Sequence, residues 1–498
     1  MSARRHIAID LGASSGRVIE VRVGAGELET VELHRFANAP VAARHAGALR
    51  LCWPFEAIWE GILEGLRVAA RDGAVDSIGI DSWAVDYALV DEAGELVRPI
   101  AAYRDPRTQE PFARLRASIG DAEIYRTTGI AFQPFNTLYQ LAADAADPIR
   151  PLERAHRMLL VPDFVACRLT GAMVAERTNA STTQLLDART RRWCPRLAAA
   201  AGAPMRLFPE LVDAGAAEPI GGLLDEIADE TGLAAGTPVL AVGTHDTASA
   251  VLAAPIDPAR DLYISSGTWS LVGAELRDAV TSDDARAANL TNELGAFGSV
   301  RFLRNVAGLW LVQQLEADFA RAGRARSWTE LVALAEAAEP LRSVVDPDDP
   351  RLFEPGNMGE RLRDACAARG EPLPDSDGAL VRCALESVAL ATARAARAIT
   401  RAGGLSPRRI VIVGGGSANG FLNQLVADAT GLPVETGPVE CTAIGNALMQ
   451  HAALEGIGSA APLRALVRAA GRRGACAAEL LPRSAMSACM QDAAARLP

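Results

Sequence analysis

Apolar residues in this chain fall into short runs that break at clusters of glycine, serine and threonine, and the spacing within each run separates strands from helices. His6 to Asp10 reads as a strand, Gly12-Ala13-Ser14-Ser15-Gly16 interrupts it, and alternation resumes from Val18 to Val23. That is the pattern of a hairpin with a small-residue turn. Thr30 to Phe36 adds the third strand of a meander, and Phe55 to Ala70 carries apolar residues at helical spacing. Val75 to Ile80 predicts a strand ending in Asp81-Ser82-Trp83, and Val85 to Val90 predicts another that runs to the turn Asp91 to Gly94. Strands alternating with helices in this way define an α/β domain.

After a helix-rich middle the same grammar returns. Pro238 to Val242 reads as a strand stopping at Gly243-Thr244-His245-Asp246-Thr247, and Leu262 to Ile264 leads into Ser265-Ser266-Gly267-Thr268-Trp269-Ser270 before Leu271 to Leu276. Strand, small-residue turn and strand again hint at duplication, with a linker at Ala253 to Arg260 marked by Pro255 and Pro258. Residues 1–254 and 255–498 are the two expected domains. In the second, Leu380 to Ile399 predicts a long Ala-rich helix and Arg409 to Val413 a strand that ends at Gly414-Gly415-Gly416-Ser417. A helix from Asn419 to Thr430 follows, with Gly431 as its cap. The Ala- and Arg-rich tail from Leu454 says least.

Composition narrows the class. A chain of 498 residues is too long for one ordinary core and suits two domains. Its 50 basic against 61 acidic residues give a net charge of −11 with no basic stripe, which argues against nucleic acid as a partner. Apolar runs such as Leu197 to Met205 fall short of the roughly 20 residues needed to cross a bilayer, so no membrane association is expected. Arg4, Arg5 and His6 precede only a short apolar stretch, unlike a signal peptide, so the expected compartment is the cytoplasm. The eight cysteines lack metal-ligand spacing and read as reduced packing residues.

Three turns carry candidate chemistry. A phosphate chain must be held by several N–H donors at short range, which only a turn free of bulky side chains permits. Gly12 to Gly16 has that character, although a plain hairpin turn would look the same. No Gly-Lys-Ser/Thr follows it, which disfavours a P-loop. Asp10, at the strand end facing that turn, could hold Mg²⁺ beside phosphates. Ser265 to Ser270 offers a second cradle of hydroxyls, and Gly414 to Gly416 a third turn on which a flat base could lie. Asp246, between His245 and Thr247, is the best placed carboxylate for a general base. His245 reads as a sugar-hydroxyl partner or, equally, as a packing histidine.

The segments Asp10 to Arg17, Gly243 to Ala250, Ser265 to Ser270 and Gly414 to Gly416 occur in the order found in the FGGY carbohydrate kinases, and the chain resembles that family to about residue 450. Ala102-Tyr103-Arg104-Asp105, Pro134 to Gln140 and Gly308-Leu309-Trp310 are similar to one ketose-specific branch of it. The resemblance implies two actin-like, ribonuclease-H-like ATPase domains with ATP and sugar in an interdomain cleft. It implies that Ala13, Ser14, Ser15, Gly16 and Arg17 line the phosphates, and that Thr268 approaches the γ-phosphate. Gln313 and Asn305 would border nucleotide or sugar, and Gly415 the nucleoside. His245 and Thr247 would bind sugar and Asp246 would be the base, with ATP and Mg²⁺ as cofactors. The implied reaction is phosphorylation of L-rhamnulose at its 1-hydroxyl, a step of L-rhamnose breakdown. L-fuculose is the nearest alternative substrate, and an actin-like or chaperone-like ATPase or a non-catalytic sugar sensor are the rivals from other classes. Where that branch reads Trp-Gly, this chain has Trp83-Ala84, which places a methyl at the expected sugar pocket.

Overall fold

Strand β1 (Arg4–Leu11) is buried along nearly its whole length and pairs antiparallel with β2 (Ser15–Gly24), which pairs antiparallel with β3 (Glu27–Ala37). The computed structural model describes residues 3–24, 27–45, 47–471 and 479–496. On the other side of β1 lies β4 (Ser77–Ser82), parallel to it, followed by the short strands β5 (Gly221–Gly222) and β6 (Pro238–Val239), giving the sheet order β5-β6-β4-β1-β2-β3. Helix α1 (Phe55–Arg71) covers the sheet because Ile58, Ile62, Leu66 and Ala69 share one face and pack with Ile7, Ile9, Val18 and Ile78 in one core. A second core in the helix-rich middle gathers Tyr87, Leu89, Leu138, Tyr139 and Leu160, with helix α2 (Thr137–Ala145) at its centre.

The second sheet repeats this plan. Strand β7 (Asp261–Ser266) pairs antiparallel with β8 (Trp269–Leu276) and parallel with β10 (Arg409–Val413), in the order β9-β8-β7-β10-β11-β12 with β9 Val300–Ala307, β11 Val434–Thr436 and β12 Glu479–Leu480. The short strand Thr291–Leu294 borders β9 at the outer edge. Hairpin, outer strand and parallel inner strand recur in the same relation, so the duplication is one of topology. The long helix expected at Leu380 to Ile399 runs over Asp377–Gly403, and the later one over Gly420–Thr430, closed by Gly431 at φ +72°.

By packing, the chain forms two units. The first holds the described parts of Met1–Ala253 and Glu440–Arg473 together with Glu275–Phe302; the second holds Ala254–Ala274, Leu303–Val439 and the described part of Gly474–Pro498. Two local expectations are corrected. The strand expected over Pro238 to Val242 spans only β6, although contact with β4 resumes where Ser82 N donates to Thr244 O at 2.9 Å. The strand expected from Val85 begins at Tyr87, because Val85 sits at φ +68°. Of the eight cysteines, Cys52, Cys167, Cys366, Cys383 and Cys441 are buried free thiols, Cys194 is half-buried, Cys489 is exposed rather than packed, and Cys476 lies outside the described residues. No helix among the described residues is long and apolar enough to cross a membrane.

Candidate active site

In the first unit, three chain segments end side by side. Trp83 N donates to Leu11 O at 3.2 Å, and Ser82 forms a bridge with His245, so the ends of β1 and β4 lie beside the Gly243 to Thr247 turn. The register pairs Asp10 with Asp81, which places both carboxylates on one face of the sheet. Asp10 is ion-paired with Arg17, whose guanidinium also meets Glu440. Burial pushes the Asp10 carboxyl up, Arg17 opposes this, and the charge of Asp246 adds to the rise. Asp81 is pushed well above the usual carboxylate range by burial and by Asp10. Asn446 Nδ2, on the helix Cys441–Glu455, donates to its Oδ2 at 2.6 Å, while its Oδ1 is buried without a partner.

The Gly12 to Gly16 turn is anchored from behind: Gly12 N donates to Ser15 O at 3.0 Å, and Asn38 Nδ2 donates to Gly12 O at 2.7 Å. Ala13, Ser14 and Ser15 retain some exposure, whereas Gly16 is buried and a Cβ there would collide with the Phe36 ring. Asp246 is the first residue of helix α3 (Asp246–Ala253) rather than the end of a strand. Its Oδ1 accepts from Thr247 Oγ1 at 2.9 Å and lies 3.4 Å from His245 Nε2, and its side chain keeps 32% exposure. Behind the turn, buried Glu176 accepts from Thr244 N at 3.1 Å, Thr244 Oγ1 at 2.9 Å and Thr178 N at 2.8 Å. Glu176 escaped the sequence reading because nothing local marks it.

Beside Ala84, which is partly exposed, stands an aromatic wall. Trp53 and Trp83 have ring centroids 4.0 Å apart, and Tyr103 lies 6.3 Å from Trp53 and 5.6 Å from Phe135. Fully buried Asp86 ties this wall together: it accepts from Trp53 Nε1 at 2.6 Å, Trp83 Nε1 at 3.0 Å, Tyr103 N at 3.0 Å and Gln140 Nε2 at 2.9 Å. Burial pushes its carboxyl up to about 6 against those bonds. Thr137 Oγ1 and Gln140 Nε2 both donate to the carbonyl of Val85, at 2.7 and 3.3 Å, so the segment Pro134 to Gln140 holds a strained residue in place.

In the second unit, Thr268 lies between β7 and β8, and its carbonyl accepts from Gly308 N at 3.1 Å and Trp310 N at 3.2 Å, at the start of helix α4 (Trp310–Arg321) that carries Gln313. Asn305, on β9, has a buried Oδ1 without a partner. A Cβ on Gly414 would come 2.8 Å from Ser266 O and one on Gly416 would strike Ser266 Oγ, whereas at Gly415 it would meet nothing within 4 Å. Packing explains the outer two glycines and leaves Gly415 exposed.

The donor set fits Mg²⁺ in one respect: Asp10 and Asp81 offer hard oxygen donors, the charge of Asp246 raises both carboxyls, and one Asp81 oxygen is orphaned. No cluster of three His, Cys, Asp or Glu among the described residues could cage a metal.

These features are what phosphoryl transfer to a sugar hydroxyl asks of a protein, and comparison with known proteins agrees. The models of the N-terminal and C-terminal domains of the FGGY family of carbohydrate kinases match residues 6–253 and 262–454, and the chain belongs to that family. It is an enzyme, a phosphotransferase acting on a sugar hydroxyl. It is 41% identical over 470 residues (93% of this chain, 91% of the relative) to a rhamnulokinase of Pectobacterium carotovorum. It is 40% identical over 447 residues (89% of each) to a rhamnulokinase of Bacteroides thetaiotaomicron. Among solved structures, gluconate kinase from Lactobacillus acidophilus superposes with a TM-score of 0.80 at 15% identity, covering 99% of this chain and 96% of that one. Plasmodium falciparum glycerol kinase with ADP gives 0.77 at 16%, covering 99% and 97%. The fold is thus the two-domain actin-like fold of sugar kinases.

Proposed function

We propose that this kinase transfers the γ-phosphate of ATP to the 1-hydroxyl of L-rhamnulose in the cytoplasm. The observation that carries the reading is Asp246: one oxygen is held by Thr247 and faced by His245, while Oδ2 takes no hydrogen bond among the described residues and the side chain stays partly exposed. Such a carboxylate can accept the hydroxyl proton as the oxygen attacks phosphorus. Asp10 would hold Mg²⁺, which supplies neutralisation of phosphate charge. Ala13 to Arg17 would line the phosphates, Thr268 the γ-phosphate, Gln313 and Asn305 the border of nucleotide or sugar, and Gly415 the nucleoside. The aromatic wall at Trp83-Ala84 gives the sugar's carbon face a surface, while His245 and Thr247 meet its hydroxyls. The substrate assignment is supported by the two rhamnulokinase relatives at 40% and 41% identity.

The test is a coupled ADP-release assay on a panel of ketoses, with wild type and Ala84→Gly. L-rhamnulose should give the highest kcat/KM, with L-fuculose or L-xylulose next. Another ketose leading by about tenfold, or 1.4 kcal/mol in transition-state binding, would refute the substrate while leaving the kinase standing. Asp246→Asn should lower kcat by about two to four orders of magnitude with ATP binding kept, and turnover within a few fold of wild type would remove Asp246 from its role.

A further inference from the structure

Among the described residues Arg301 is the largest fully buried side chain, at 0% exposure, and a guanidinium in that position is costly unless its partners compensate. Its partners are few and specific. Nε donates to Leu294 O at 3.2 Å, Nη2 lies 3.2 Å from Glu293 Oε2, and Nη2 donates to His245 Nδ1 at 2.9 Å. Glu293 stands on the strand Thr291–Leu294 and Arg301 on β9, which is its neighbour in the sheet, so the pair is delivered to His245 by one hairpin. Burial alone would raise the Glu293 carboxyl, but Arg301 and His245 outweigh it and hold it below the usual range. A pair kept only for stability could be replaced by apolar residues of similar volume at little cost.

The geometry at the imidazole gives the pair a different use. Arginine has only donors, so an Arg301 N–H bonded to Nδ1 requires a lone pair on that nitrogen. Glu293 Oε2 lies 3.2 Å from Nδ1 and is the rival partner that a proton on Nδ1 would face, but the Arg301 N–H is the closer at 2.9 Å and can only donate, so it decides which nitrogen is bare. With Nδ1 bare, the ring proton is on Nε2, the nitrogen that faces Asp246 Oδ1 at 3.4 Å. The opposite tautomer would set a nitrogen lone pair against that carboxylate and create a second base beside the first.

We infer that Glu293 and Arg301 are positioning residues that fix the Nε2–H tautomer of His245, so that a donor, and not a competing base, stands beside Asp246. Arg301 supplies the donor that occupies Nδ1. Glu293 balances the guanidinium charge without taking the ring proton. The catalytic consequence rests on the reading of Asp246 as general base.

Histidine labelled with ¹⁵N on both ring nitrogens tests the tautomer in the intact protein, since two-bond proton–nitrogen correlations distinguish a protonated ring nitrogen from a bare one. The His245 signals are those lost in His245→Asn. Wild type should show Nε2 protonated and Nδ1 bare; a proton on Nδ1, alone or together with Nε2, overturns the inference whatever the enzyme's activity. Arg301→Met should move the proton to Nδ1 and lower kcat about tenfold or more with KM for ATP unchanged, part of the worth of a positioned base. Arg301→Lys, which keeps a cationic donor, should recover most of that loss. Equal losses in folded Met and Lys variants overturn the positioning role. Because Arg301→Met removes a buried ion pair and could fail to fold, the wild-type spectrum decides on its own. Wild type that shows the stated tautomer but phosphorylates no sugar would instead count against the proposed function.

Discussion

Asp86 offers a quantitative test of how the aromatic wall is held. It is fully buried and accepts four hydrogen bonds, yet burial wins and its carboxyl rises from 3.8 to about 6. A carboxylate whose folded value is raised binds more protons in the folded than in the unfolded state between those two values. Stability therefore falls as pH rises through that window, by about 3 kcal/mol in all. An asparagine at this position imitates the protonated acid in shape and in hydrogen-bonding capacity and does not titrate. Asp86→Asn should therefore match wild type in urea unfolding near pH 4 and become the more stable protein by about 2–3 kcal/mol at pH 7. The same change weakens the hold on Trp53, Trp83 and Tyr103, which all donate to Oδ2, because a neutral amide oxygen is a poorer acceptor than a carboxylate, and it sets an amide N–H against Gln140 Nε2 at the Oδ1 position. Activity should fall in kcat/KM for sugar by about tenfold or more, with KM for ATP unchanged, the equivalent of one charge-assisted hydrogen bond of about 1.5–3 kcal/mol. A stability difference that stays constant from pH 4 to pH 7 would refute the argument from burial. An unchanged kcat/KM would show that the wall does not need its carboxylate.

Two further outcomes follow from backbone geometry. Val85 is buried at φ +68°, so Val85→Ala and Val85→Gly both lose its packing but only glycine also relieves the positive φ; Val85→Gly should be the more stable of the two variants by about 1 kcal/mol in denaturant unfolding, and a more stable Val85→Ala would contradict the strain. Gly415→Ala should leave stability within about 0.5 kcal/mol of wild type while raising KM for ATP several-fold, because its Cβ enters open space. Gly416→Ala should cost about 1–3 kcal/mol through collision with Ser266, and equal stability of the two variants would remove the distinction between them.

Much of the fold was legible because its signals are local. β1, β2, β10 and the helices at Phe55 and Asp377 each announce themselves by periodicity and by a small-residue turn at one end. Asp10 and Asp246 could be picked out because a carboxylate next to such a turn is visible in a few residues of sequence. Their partners could not. Arg17 meets Glu440 across 423 positions and Asn446 reaches Asp81 across 365, both from a stretch with no chemical signature of its own. Asp86 collects donors from Trp53, Tyr103 and Gln140, which only the folded chain brings together. Val85 misled for a different reason: β-branched side chains favour strands, and tertiary bonds from Thr137 and Gln140 override that preference. The segment Glu275–Phe302 and the described part of Glu440–Arg473 belong by packing with the first unit although they follow it in sequence, and composition does not change at either boundary.

The repeated topology makes the difference between the two units informative. In the first, the parallel pair β1 and β4 carries Asp10 opposite Asp81 one position before its last pair, Leu11 and Ser82, and Asp246 follows where the next segment joins them. In the second, the equivalent pair β7 and β10 ends with Ser265 opposite Val413, and the turn beyond β10 is three glycines of which Gly414 and Gly416 pack on Ser266. One scaffold therefore carries carboxylates at its strand ends and the other carries bare backbone. Charge at a strand end suits proton transfer and cation binding, whereas bare backbone suits close contact with a flat or extended ligand that needs no countercharge. The duplication is thus most useful to the chemistry where the two copies no longer agree.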